Sequence, residues 1–184
     1  GIIHFNTIRT SEYRIEIPGK SSKTDHLTIA FAADFHIQKR TNIHYVERFV
    51  EKVEAIQPDL MLFGGDIIEG HSGNHGLKKI EKLLDRINPK YGVYSSVGNH
   101  ELYGRGDYRP FFRNAGIKLL VDTTELVASM VNLTGRYDNH MKNRKSINEL
   151  MQEIDNTLPV ILLDHRPTDI SRVSRTRVDL QLSG

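Results

Sequence analysis

Four apolar runs in this chain each end in a short polar block, and that repetition constrains the fold more than any other feature. Residues 27–33 (LTIAFAA) run into Asp34-Phe35-His36, and 59–63 (DLMLF) into Gly65-Asp66-Ile67-Ile68-Glu69. Residues 91–97 (YGVYSSV) run into Gly98-Asn99-His100-Glu101, and 159–163 (PVILL) into Asp164-His165-Arg166-Pro167. Runs this apolar read as strands covered on both faces. Between the first three the period changes to that of a helix: Ile43, Val46, Phe49, Val50, Val53 and Ile56 share one face, and Leu77, Ile80, Leu83, Leu84 and Ile87 another. Pro58 stops the first helix. Strands alternating with helices give α/β architecture, and ligands of open α/β sheets bind at the carboxyl edge of the strands. All four polar blocks belong at that edge.

The rest of the chain fills in around this frame. Tyr13, Ile15 and Ile17 alternate with polar residues over 11–17 (SEYRIEI), which predicts a half-buried strand; a turn at 18–22 then returns it antiparallel to 27–33. Residues 108–115 read as a short helix, and 117–121, 124–127 and 131–134 as strands. An amphipathic helix carries Ile147, Leu150, Met151 and Ile154, a shorter one Ile170 and Val173, and 178–182 is the last strand. The expectation is an α/β fold with a mixed sheet, or two stacked sheets flanked by helices, with 1–184 as one domain. The step from Val127 to Val131 is abrupt for two core strands and suggests loop residues removed there.

Composition excludes several classes. The chain has no cysteine, so disulfides and thiolate metal sites are out. Its formal net charge of +2 gives no argument for nucleic acid. No apolar run is long enough to span a bilayer, and no signal peptide is visible. The chain starts at Gly1 rather than methionine and stops on a strand at Gly184, so both ends read as cut and an upstream anchor or targeting segment stays open.

The polar blocks offer carboxylates, imidazoles and an amide: hard oxygen donors mixed with nitrogen, which is a metal-binding inventory. Two divalent cations about 3.5–4 Å apart can clamp a phosphoryl group and activate a water. Asp66 can bridge both ions, with Asp34 and His36 on one and Asn99 and His165 on the other. A neutral asparagine ligand leaves the cations electrophilic. His100, adjacent to Asn99, suits protonation of a leaving oxygen or stabilisation of developing charge, and Glu69 is the candidate to fix its tautomer. Glu101 is an extra glutamate with no assigned role. Each block alone has a bland reading: Asp-x-His as surface chemistry, Gly-Asp as a turn, Gly-Asn-His as a loop with a left-handed asparagine, His165 as a solvated histidine. Their joint occurrence, each at the end of an apolar run, favours a site. Elsewhere the bland reading prevails. Lys78, Lys79 and Lys82 form a wet helix face, Met141-Lys142-Asn143-Arg144-Lys145 a solvated loop, and His71 and His75 a polar loop. His4, His26, His44 and His140 receive no role.

Taken together, Asp34-Phe35-His36, Gly65-Asp66-Ile67-Ile68-Glu69, Gly98-Asn99-His100-Glu101 and His165 resemble the ordered motifs of the calcineurin-like metallophosphoesterases over about residues 27–184. The resemblance implies an αββα sandwich, two mixed sheets between helices, and a two-metal hydrolase of phosphoric esters acting through a metal-bound hydroxide without a phosphoenzyme. It implies Asp34, His36, Asp66, Asn99 and His165 as metal ligands and His100 as the catalytic histidine oriented by Glu69. The cations are two of Mn, Fe, Zn or Mg, and the substrate a phosphomonoester or phosphodiester. The strand at 11–17, Gly135-Arg136-Tyr137-Asp138 and the Asp164–Pro167 block resemble a bacterial branch. Its members carry a membrane anchor or export signal, and some hydrolyse phosphodiester or pyrophosphate bonds in lipid precursors. Two departures stand out. Glu69 replaces a commoner aspartate. The family's later Gly-His-x-His motif is reached only as far as Leu182-Ser183-Gly184, so one ligand for each metal is absent from the 184 residues and weak metal binding is expected of them. That absence motivates an alternative reading, a metallophosphoesterase fold kept as a binding scaffold. A protein phosphatase is a further option, since substrate choice lies in loops such as 70–76 and 138–145. No nucleic-acid partner is expected, and the oligomeric state is left open.

Overall fold

A computed structural model describes residues 8–18, 26–70, 77–103, 106–152 and 154–184. In chain order the elements are β1 (Ile29–Ala32), α1 (Ile43–Ile56), β2 (Leu60–Phe63), α2 (Lys78–Leu84), β3 (Val93–Ser95), α3 (Asn99–Leu102), α4 (Arg109–Asn114), β4 (Lys118–Leu119), β5 (Thr123–Val127), β6 (Val131–Gly135), α5 (Ile147–Leu150), β7 (Val160–Leu163), α6 (Ile170–Val173) and β8 (Leu180–Leu182). They form two four-stranded sheets, β1-β2-β3-β4 and β5-β6-β7-β8. The first is parallel throughout; the second is parallel except for the antiparallel β5–β6 pair.

Alternation along the strands sorts the core into layers. Leu60 and Leu62 of β2 pack with Leu133, Ile161 and Leu163 between the two sheets. Met61 and Phe63 point the other way, into a cluster with Val46, Phe49, Val50 and Val53 of α1, Ile80 and Leu84 of α2 and Phe111 and Phe112 of α4. On the outer face of the second sheet, Leu162 meets Ile147 of α5 and Val173 of α6. The order is helices, sheet, sheet, helices: the αββα sandwich expected from the motifs.

Local chemistry sets the element ends. Asn42 caps α1, its Oδ1 accepting from the His44 amide at 3.0 Å, and Gln57 closes it in a left-handed conformation with its amide on the Val53 carbonyl. The expected antiparallel pair of 11–17 with 27–33 does not form: 11–17 is not a strand, and β1 pairs in parallel with β2. Tyr13 and Ile15 of that segment are 82% and 55% exposed. A period of two shows only that a segment could cover one face, and here no strand takes it up. The turn read at 18–22 lies mostly outside the described residues. α5 is also shorter than its apolar pattern: it ends at Leu150, beyond which Met151 packs against the α5–α6 cluster from a turn.

The step from Val127 to Val131 closes as a tight hairpin. The Met130 amide donates to the Val127 carbonyl at 2.9 Å, and Ala128 and Ser129 between them are both left-handed (φ 51° and 56°). That turn favours Asn-Gly, and a left-handed alanine or serine costs about 1 kcal/mol or more. Both residues are exposed, so changing them sacrifices no packing. Ala128→Asn combined with Ser129→Gly is expected to stabilise by about 1 kcal/mol and raise Tm by about 2–4 °C in a thermal melt.

Candidate metal centre

Because β1, β2 and β3 are parallel, their carboxyl ends share one edge, and β7 delivers its own tip to the same place. The loops after β1 and β2 are zipped together. Asp34 donates its amide to the Gly65 carbonyl (3.1 Å), His36 to Asp66 (2.9 Å), Ile37 to Ile67 (2.8 Å), and Glu69 back to Ile37 (2.9 Å). Three non-glycine residues here, Asp34 (φ 58°), His36 (φ 49°) and Asp66 (φ 53°), are left-handed. Such backbone costs of order 1–3 kcal/mol per residue and gathers at functional sites. Gly65 has φ 94°, and a Cβ on it would lie 2.7 Å from the Gly98 amide nitrogen; a Cβ on Gly98 would collide with the Asp66 carboxylate. The two glycines let the second and third blocks touch.

Asp34, His36, Asp66, His100 and His165 stand directly beside one another. Atoms of Asp34, His36 and Asp66 capable of ligation lie within 4.8 Å of one another. His165 Nε2 is 3.0 Å from Asp66 Oδ2, His36 Nε2 is 3.8 Å from Asp34 Oδ1, and His100 Nε2 is 3.9 Å from Asp66 Oδ2. Ligands about 2.0–2.2 Å from one cation stand about 3–3.5 Å apart, so these spacings leave room for ions between them. Asn99 is the first residue of α3, buried, beside His100, whose amide donates to Asp66 Oδ1 at 2.8 Å. Asp66, Asn99 and His165 are buried, His36, Glu69 and His100 half-buried, and Asp34 exposed.

The three imidazoles are held alike. His36 Nδ1 donates to Glu69 Oε1 at 2.9 Å, His100 Nδ1 to Glu69 Oε2 at 2.9 Å, and His165 Nδ1 to the Gly64 carbonyl at 2.8 Å. A carbonyl or an ionised carboxylate can only accept, so Nδ1 carries the proton in each ring. Each Nε2 then faces the Asp34 and Asp66 carboxylates, the arrangement of histidines prepared to ligate a metal.

The charges agree with this geometry. Burial opposes ionisation of Asp66, but the His165 hydrogen bond and the His100 amide outweigh it and hold its carboxyl below 3.8. Burial also opposes a charge on His165, yet the bond and charge of Asp66 prevail and push it from 6.5 up to about 9. The Glu69 hydrogen bond raises His100. In metal-free protein the raised His165 contributes stability that is complete below pH 6.5 and lost as pH rises through about 9. The depressed Asp66 contributes above its ordinary 3.8 and loses that contribution as pH falls through its folded value. Melts with chelator are therefore expected to weaken from pH 6.5 to 9. A cation must displace the Nε2 proton, so the gain in Tm from added Mn²⁺ is expected to grow over the same range.

Two features were not assigned from sequence. Glu101 is buried, and its carboxylate accepts four amides: Asp66 (3.0 Å) and Gly98 (2.8 Å) on Oε2, Ile67 (2.6 Å) and Ile68 (3.0 Å) on Oε1. It ties the second and third blocks into one unit. The visible signal was its place three residues after Gly98, where a glutamate reaches back to the cap of a helix. The second is Arg144, which is not part of a solvated loop. Its side chain is 7% exposed and pairs with Asp164 at 2.7 Å, beside Arg136, which bonds Asp164 and Asp169 at 3.3 and 3.0 Å. These pairs brace the tip that carries His165. At the rim, the Tyr103 ring stands between His100 (centroids 5.1 Å) and His140 (5.5 Å), and Asp138 accepts from Arg166 through both oxygens. Lys78, Lys79 and Lys82 are exposed as expected; His71 and His75 lie outside the described residues.

A two-sheet α/β sandwich with carboxylates and imidazoles gathered at one strand edge defines a metal-binding class of protein. Comparison with known families gives the same class: the calcineurin-like phosphoesterase model matches residues 27–184, and the chain belongs to that family. A metallophosphoesterase of Aquifex aeolicus is 31% identical over 96% of this chain and 69% of its own length. A transmembrane protein with a metallophosphoesterase domain from Danio rerio is 25% identical over 91% of this chain and 42% of its own. The UDP-2,3-diacylglucosamine pyrophosphatase LpxG of Chlamydia muridarum is 25% identical over 52% of this chain and 29% of its own. The chain spans 47–49% of the length of several other bacterial relatives. Among the described residues no helix is long and apolar enough to cross a membrane.

Proposed function

We propose that the protein is a dinuclear metal-dependent hydrolase of phosphoric esters. The observation that carries this is the common orientation of three imidazoles, each with Nδ1 bound and Nε2 turned toward the Asp34–Asp66 pair. The donor set suits divalent cations: Asp34, His36 and Asp66 would hold one, and Asp66, Asn99 and His165 the other. When bound, such ions neutralise phosphoryl charge and make water a nucleophile near neutral pH. The protein's own groups supply the rest. Asp66 is the shared carboxylate between the two sets. Asn99 adds a donor without charge. His100, partly exposed, would give the leaving oxygen the proton on its Nε2, while Glu69 accepts from Nδ1 and favours the doubly protonated ring. Held imidazole tautomers support catalysis over a bare binding scaffold.

For the substrate, similarity to a pyrophosphatase of an acylated sugar nucleotide supports a phosphodiester or pyrophosphate linkage in a lipid precursor. A phosphomonoester of a protein or small molecule is the alternative. The test is hydrolysis of bis-p-nitrophenyl phosphate and p-nitrophenyl phosphate with Mn²⁺, Fe²⁺, Zn²⁺ or Mg²⁺. Chelator-sensitive turnover of the diester above the monoester supports the reading. Folded protein with metal and no turnover of either contradicts it.

A further inference from the structure

Glu69 is bound to two imidazoles at once. Oε1 accepts from His36 and Oε2 from His100, both at 2.9 Å, and the two rings stand edge to face with centroids 4.3 Å apart. The backbone fixes this spacing, because the Glu69 amide is tied to the Ile37 carbonyl and Ile37 pairs with Ile68. We infer that Glu69 is one positioning residue for both halves of the site, setting the ring orientation and tautomer of the proposed ligand His36 as well as those of His100. The inference rests on the metallohydrolase reading.

The chemistry makes the requirement specific. Both imidazoles must turn Nε2 to the site, His36 with a bare lone pair to ligate and His100 to pass a proton from Nε2 to the leaving oxygen. Both must therefore donate from Nδ1, and one residue that satisfies them needs two acceptor oxygens. An ionised carboxylate has two; a carboxamide has one, and its NH₂ would face the second ring. That ring would then accept at Nδ1 and carry its proton on Nε2, pointed at Asp34 or Asp66, where it closes the lone pair a cation needs. Aspartate keeps both oxygens but is one methylene shorter, so it holds one ring and releases the other. This accounts for a glutamate at the position: its length lets a single carboxylate reach rings on two separate loops.

The test uses the protein with Glu69→Gln and Glu69→Asp. Imidazole ¹⁵N–¹H spectra of metal-free protein at alkaline pH, assigned with His36→Asn and His100→Asn, read the tautomers directly. The parent should show both rings protonated at Nδ1. In Glu69→Gln one of them should move to Nε2. Calorimetric titration with Mn²⁺ should show the Asp34–His36–Asp66 set weakened by about 10–100-fold in Glu69→Gln or Glu69→Asp, and unchanged in His100→Asn. kcat at saturating Mn²⁺ should also fall in the Glu69 variants, which lost metal alone would not produce. Unchanged tautomers with Mn²⁺ affinity within about twofold of the parent would overturn the inference. So would a third equivalent of metal that disappears in Glu69→Gln, since a cation would then sit where the two protons are placed. If the parent binds no Mn²⁺ and hydrolyses nothing, the metallohydrolase reading fails, and the tautomer spectra still decide whether Glu69 holds both rings.

Discussion

Glu101→Ala is expected to cost the protein a large share of its stability. The change removes one carboxylate and leaves four amides, those of Asp66, Ile67, Ile68 and Gly98, with no acceptor in a buried place. A buried donor left unsatisfied costs about 1–3 kcal/mol, and a domain holds only about 5–15 kcal/mol in total. Water entering the space would recover part of this, so a loss of at least about 4 kcal/mol is the expected result in urea unfolding. Glu101→Gln keeps one acceptor oxygen and should fall between. The loops it joins carry Asp66 and Asn99, so metal affinity should drop along with stability. A loss below about 1 kcal/mol would show that the two blocks hold together without it.

The largest effect on activity is expected at Asp66. It touches His165, the His100 amide and the Asp34–His36 set, and it is the one residue shared by both proposed cation sites. Asp66→Ala should abolish binding of both Mn²⁺ ions and reduce hydrolysis to background. His100→Ala separates the roles: kcat should fall by about 10²–10⁴ while Mn²⁺ binding stays as in the parent. Asn99→Ala should lower turnover and loosen metal. Calorimetry and initial rates on the three variants check this. Equal loss of metal in His100→Ala would make His100 a ligand rather than an acid.

What could be read from residue order was the part of the fold governed by local periodicity. The 3.6-residue pattern from Ile43 to Ile56 marks α1 end to end, because the core touches one face of a helix that Asn42 starts and Pro58 stops. The apolar runs ending in Asp34, Asp66, Asn99 and His165 mark the edge that holds the candidate site, because parallel strands deliver their tips to one side. Period alone failed at 11–17, where alternation is present and no neighbouring strand is. It failed again at Asn99, which begins a helical turn instead of ending a strand. Glu101 was legible only in its short-range bond to Gly98, and Arg144 not at all. The other Glu101 partners lie 33–35 residues away and the Arg144 partner 20 residues away, and a side chain bonding to distant backbone or to a buried ion pair leaves no periodic trace. Glu69 was half legible. Its place after Asp66 suggested His100 as its partner, but nothing in the order of residues brings His36 to its other oxygen.

The most direct measurement is an anomalous difference map from crystals of the protein grown with Mn²⁺, recorded near the manganese edge. The expected result is two peaks about 3.5–4 Å apart on either side of the Asp66 carboxylate. One peak should lie against His36 Nε2 and Asp34, the other against His165 Nε2 and Asn99. Manganese bound elsewhere with this edge left empty, or a single ion seated on the Nδ1 atoms of His36 and His100, would contradict the account.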